Sequence, residues 1–178
     1  MRKVNLDDFI YDSGQKQSET KAARKFGEKT AKEASYLKPP IDVFSLIENK
    51  YGIKIRKISL NDDISAIVDL EQNEIIINED KPYYHTRFTA AHELGHILLK
   101  HKDRKWKEYS SHISDSNPNK PIEEEANAFA SGLLMPEYLL KKLASKQTTP
   151  NELAKLFEVS QEAMWYSINN YRLLNRFI

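Results

Sequence analysis

The segment Phe88-Thr89-Ala90-Ala91-His92-Glu93-Leu94-Gly95-His96-Ile97-Leu98-Leu99 constrains this chain more than any other. It holds His-Glu-x-x-His with apolar residues on either side, and no proline lies between Thr86 and His101. Leu and Ala favour helix, and only Gly95 weakens it. As a helix, His92 and His96 project from one face, one turn apart. Ala90, Leu94, Ile97 and Leu98 form a second stripe, roughly opposite. A helix that is apolar on one side and carries a polar constellation on the other belongs inside a fold. Gly95 then marks a place where another helix or a substrate backbone comes close.

Two imidazoles at this spacing can hold one Zn²⁺. Glu93 lies about 100° round the helix, beside the metal rather than on it, where its carboxylate can take a proton from activated water. A third protein ligand is required. The 178-residue chain has no cysteine, so it must be His, Asp or Glu. Glu123, Glu124 and Glu125 fall in the first turn of a helix opened by Pro121. Glu123 pairs with Asn127 at i, i+4, which makes Glu123 the preferred ligand and Asn127 a partner for a ligand histidine. Glu124 and Glu125 are read as charging a helix N-terminus. Ala126, Ala130 and Gly95 are small enough for two helices to cross there.

The surrounding chain predicts an α+β fold. Ile53–Ile58 alternates as a strand does, and Ile64–Leu70 and Glu74–Asn78 make a hairpin around Glu71-Gln72-Asn73. The expected sheet has three strands, is mostly antiparallel and packs on the His92 helix, with additional C-terminal helices. Residues 39–145 form the expected catalytic domain, with Pro40 opening a helix that runs to Tyr51 and is capped by Gly52. Residues 1–38 read as a polar, basic arm or solvated helix, because Lys16, Lys21, Arg24, Lys25, Lys29, Lys32 and Lys38 outnumber Glu19, Glu28 and Glu33. Lys102–Lys120 reads as a long polar loop carrying Trp106, Tyr109 and His112. Residues 146–178 read as a helix pair of helix-turn-helix appearance. Thr149, Pro150 and Glu152 form a capping box. Its second helix has no Lys or Arg before Arg172, which argues for a structural pair and against direct DNA contact.

The net charge of +1 gives no electrostatic case for nucleic acid or membrane. No run reaches transmembrane length, and Phe9-Ile10-Tyr11 is too short for a signal peptide. The expected place is the cytoplasm.

Arg87-Phe88-Thr89-x-Ala91-His92-Glu93-Leu94-Gly95-His96, followed by Glu123-x-x-Ala126-Asn127-x-Phe129-Ala130-x-x-Leu133-Leu134-Met135-Pro136, resembles the ImmA/IrrE family of metallo-endopeptidases. The resemblance covers roughly residues 40–145. It implies a gluzincin-like zinc site, with His92, His96 and Glu123 as ligands and Glu93 as general base. It also implies a protein substrate, a helix-turn-helix repressor or antitoxin, cleaved in a bacterial or phage stress or mobile-element response. Members often carry a histidine one place before His101, so His101 takes no role from the resemblance. The metal is expected to be Zn²⁺, with Mn²⁺ as the other candidate. An oxyanion donor is needed as well, and His112, Tyr109, Tyr83 and Tyr84 are the candidates. The competing reading is a non-hydrolytic regulator that binds a repressor or DNA through the same fold, and the intact Glu93 speaks against it.

Overall fold

The computed structural model describes residues 19–101, 105–109 and 119–177. The helices are α1 (Glu19–Glu33), α2 (Val43–Tyr51), α3 (Tyr83–Leu98), α4 (Lys120–Leu134), α5 (Glu137–Leu143), α6 (Pro150–Phe157) and α7 (Gln161–Asn170), and the strands are β1 (Lys54–Ile58), β2 (Ile64–Asp69), β3 (Glu74–Asn78) and β4 (Lys105–Tyr109). Helix α3 is buried without a break from Thr89 to Leu98. The sheet, α2 and α4 surround it. Its apolar stripe supplies Ala90, Leu94 and Leu98 to one core with Val68, Ile75 and Ile77 of the sheet.

The sheet has four strands in the order β1-β3-β2-β4. The hairpin expected from the sequence is present, with Ala66 opposite Ile77 and Asp69 opposite Glu74 in an antiparallel pair. β3 lies between β1 and β2, and β1 runs parallel to it. The fourth strand corrects the three-strand expectation. β4 pairs antiparallel with β2, setting Trp106 beside Val68 and Glu108 beside Ala66. It falls within the stretch read as a loop because Lys-Trp-Lys-Glu-Tyr carries no apolar alternation. Its inward positions hold one aromatic and one carboxylate.

Helix α2 starts at Val43, later than Pro40 suggests, because Asp42 caps it: Asp42 Oδ1 accepts from the Ser45 amide at 3.1 Å. Gly52 ends it in the left-handed region at φ 67°.

Helix α1 is solvated on one face only. Ala23, Gly27, Thr30 and Ala31 make a buried stripe, packed against α4. Two glycines meet at the crossing. A Cβ on Gly27 would strike the Phe129 carbonyl, and one on Gly132 the Arg24 carbonyl. Alanine and glycine give little hydropathy contrast, so the lysines dominated the sequence pattern.

The C-terminal helices share the main core through Leu153, Phe157, Met164 and Ile168. Thr149 and Glu152 form the expected capping box at α6. Arg87 ties this region to α3. It is 1% exposed, donates to Ile41 O at 2.8 Å and to Glu158 O at 3.2 Å, and pairs with Glu158 Oε2 at 3.3 Å. A guanidinium can be buried there because its donors are met. No helix among the described residues is long and apolar enough to cross a membrane.

Candidate metal centre

Helix α3 sets the His92 and His96 rings edge to face, 4.6 Å apart between centroids. Their Nε2 atoms are 2.9 Å apart. Helix α4 crosses at Gly95, where an added Cβ would lie 3.0 Å from Phe129 Cδ1 and 3.3 Å from Ala126 Cα. This close passage brings Glu123, one turn before Ala126, over the imidazoles. Glu123 Oε2 lies 3.1 Å from His92 Nε2 and 3.0 Å from His96 Nε2. His92, His96 and Glu123 are 5%, 0% and 5% exposed.

Partners behind the rings assign the protons. Asn127 Oδ1 lies 2.9 Å from His92 Nδ1. A carbonyl oxygen accepts, so Nδ1 carries the hydrogen and Nε2 a lone pair. Behind His96 stands His101, Nδ1 to Nδ1 at 3.1 Å. The His101 Nε2–H donates to Glu125 Oε2 at 3.2 Å. His101 Nδ1 then accepts from His96 Nδ1–H, which turns the His96 Nε2 lone pair inward. With both imidazoles neutral, three acceptor atoms thus converge at 2.9–3.1 Å with no hydrogen between them. Such a cluster needs a cation. A tetrahedral zinc with ligands at about 2.0–2.1 Å would space them by about 3.3 Å, close to what is seen. The chemistry of the donors agrees. Two imidazoles and carboxylates suit a divalent metal ion.

Glu93 is fully buried, and the Trp106 indole Nε1–H donates to its Oε2 at 2.6 Å. Glu108, two residues further along β4, places Oε1 3.9 Å from His92 Nε2. The ligand-capable atoms of His92, His96, Glu108 and Glu123 all lie within 4.8 Å of one another. Burial alone would disfavour the His92 imidazolium. With no metal bound, a proton on Nε2 is donated to Glu123, and that hydrogen bond and the charges of Glu93, Glu108 and Glu123 outweigh burial and raise the His92 pKa. The same crowd of carboxylates favours a bound cation.

The structure therefore brings together His92, Glu93, His96, Glu123 and Asn127. It sets the other candidates apart. Tyr109 alternates to the opposite face of β4 from Trp106 and Glu108 and is 51% exposed. Tyr83 and Tyr84 are exposed in the first turn of α3, roughly 12–14 Å along the axis from His92. His112 lies outside the described residues. Glu124 faces solvent beside Lys120. Sequence reasoning missed Trp106, Glu108 and the His101–Glu125 pair. The only local signal for the first two was an aromatic and a carboxylate at i, i+2 among lysines.

A family model described as the IrrE N-terminal-like domain, a peptidase family, matches residues 48–169. The chain belongs to this family. The matched span contains every residue of the cluster and continues through most of α7. Relatives include the radiation response metalloprotease IrrE of Deinococcus radiodurans, 30% identical over 134 residues, which are 73% of this chain and 40% of that protein. Its namesake from Deinococcus deserti is 28% identical over 134 residues, 73% of this chain and 47% of that protein. The chain thus spans less than half the length of these curated relatives. Among solved structures, a Mycobacterium tuberculosis transcriptional regulator matches 94% of this chain and 50% of its own with a TM-score of 0.63. At 17% identity this likeness concerns the fold alone.

Proposed function

We propose that this chain is a zinc-dependent endopeptidase that hydrolyses a peptide bond in a protein partner. His92, His96 and Glu123 hold the metal in this reading, and Glu93 is the general base. One observation carries it: three buried acceptor atoms, on His92, His96 and Glu123, meet at 2.9–3.1 Å next to a fixed carboxylate. Zinc held there would supply Lewis acidity and lower the pKa of coordinated water toward about 7; Mn²⁺ is the other candidate ion.

The remaining work falls to the chain itself. Glu93 takes a proton from the attacking water and returns it to the leaving amine. Trp106 holds the Glu93 carboxylate by one oxygen and so keeps it oriented. Asn127 and His101 keep both imidazoles turned inward. β4 ends the sheet, and its outer edge has no strand beside it among the described residues. An extended peptide can add there.

The partner we propose is a helix-turn-helix repressor or antitoxin in the cytoplasm, cleaved during a stress or mobile-element response. The radiation response named for the Deinococcus relatives is of that kind. The test is incubation with the repressor encoded beside the gene, with Zn²⁺ or Mn²⁺. The expected result is cleavage that Glu93→Gln abolishes while metal binding persists. Equal cleavage by that variant would eliminate Glu93 as the base.

A further inference from the structure

We propose that Glu108 is a fourth protein ligand for the metal, closing the coordination sphere at rest and leaving it when substrate binds. The inference deepens the reading above and rests on His92, His96 and Glu123 holding the ion.

Strand alternation sends Lys105, Lys107 and Tyr109 outward and Trp106 and Glu108 inward. A carboxylate on an edge strand would ordinarily turn to water. The Glu108 side chain is instead 19% exposed, and its Oε1 is 3.9 Å from His92 Nε2. Its ligand-capable oxygen lies within 4.8 Å of those of His92, His96 and Glu123, and its charge joins those of Glu93 and Glu123 at His92. A cation held by the three donors and Glu108 would offset that concentration of negative charge. Ligand atoms on one tetrahedral zinc sit about 3.3 Å apart, and the four donor atoms here already lie within 4.8 Å of one another, so a movement of about 1–1.5 Å completes the set.

Four protein ligands characterise closed, structural zinc sites, whereas hydrolysis needs a position for water or substrate. Glu108 on the metal therefore describes a resting form. Its departure opens one position and removes a negative charge from where the oxyanion must develop. Glu108 stands on the edge strand that the proposed function offers to the substrate, so strand addition would act on the element that carries this ligand. The arrangement guards the site against unselected peptides.

Zinc affinity, measured by competition with a chromogenic chelator, tests this without a substrate. Glu108→Gln and Glu108→Asp are each expected to weaken zinc binding by about tenfold or more, and Glu124→Gln to leave it unchanged. The aspartate keeps the charge but withdraws the carboxylate by one methylene. Wild-type affinity in Glu108→Asp would mean that charge alone acts, and wild-type affinity in Glu108→Gln that Glu108 does nothing to the metal. Either result overturns the proposal. In the cobalt-substituted protein, acetohydroxamate binding read from the visible bands should tighten by about tenfold in both variants; equal binding to wild type overturns it too. Failure of the wild-type chain to bind zinc at all would end the peptidase reading, whereas wild-type affinity in either Glu108 variant ends only this one.

Discussion

The Trp106 indole donates a 2.6 Å hydrogen bond to the buried Glu93 carboxylate, joining the outer strand of the sheet to the middle of α3. At 2.6 Å the bond is as short as those made to carboxylates. Trp106→Phe keeps the ring and removes the donor. A hydrogen bond to a charged group contributes about 1.5–3 kcal/mol, so turnover of a cleavable partner should fall about tenfold to a hundredfold. Zinc affinity should stay at the wild-type value. Parallel loss of metal would show that Trp106 supports the centre rather than Glu93.

The pair behind His96 makes a separate prediction. His101→Ala or Glu125→Gln removes the acceptor system that turns the His96 Nε2 lone pair inward. Zinc affinity should drop about 10- to 100-fold, with helical content unchanged by circular dichroism. Wild-type affinity in both variants would strip the pair of this role.

The α1–α4 crossing predicts a stability change whose sign is opposite to helix propensity. Gly27→Ala should gain about 0.5–1 kcal/mol from propensity alone. The added Cβ, however, meets the Phe129 carbonyl, a backbone atom that cannot rotate away. Overpacking costs about 1–3 kcal/mol, so urea denaturation should show net destabilisation. Gly52→Ala meets no neighbouring atoms and pays only for its positive φ, which separates the two causes.

Asp42 gives a pH dependence. Partial burial works against its charge. The Ser45 hydroxyl and amide, the Arg87 charge and the Phe44 amide outweigh that and hold its pKa below the ordinary carboxylate range. A carboxyl depressed in the folded state stabilises fully above its unfolded pKa of about 4. That stabilisation is lost as pH falls through the folded value. Asp42→Ala should therefore cost about 0.5–1 kcal/mol at pH 7, with the difference from wild type closing in acid. A constant difference between pH 7 and pH 2 in denaturant titrations would assign the effect to something other than ionisation.

What could be read in advance was local. The i, i+4 spacing of His92 and His96 puts both rings on one helix face whatever surrounds it. The Thr149–Glu152 box, the Gly52 cap and the hairpin around residues 71–73 likewise depend on neighbours within a few positions. Even the passage of α4 over Gly95 was signalled, because small residues at helical spacing allow close approach.

Tertiary structure decided the rest. Strand β4 has no hydrophobic period, so only pairing with β2 makes it a strand and turns Trp106 and Glu108 inward. Arg87 finds carbonyl partners at Ile41 and Glu158, in segments far from it in sequence and from each other. His101 and Glu125 meet only because α3 and α4 cross. Periodicity within one element determines which side chains share a face. Which faces meet depends on how the chain closes its long loops, and no pattern inside a single segment encodes that.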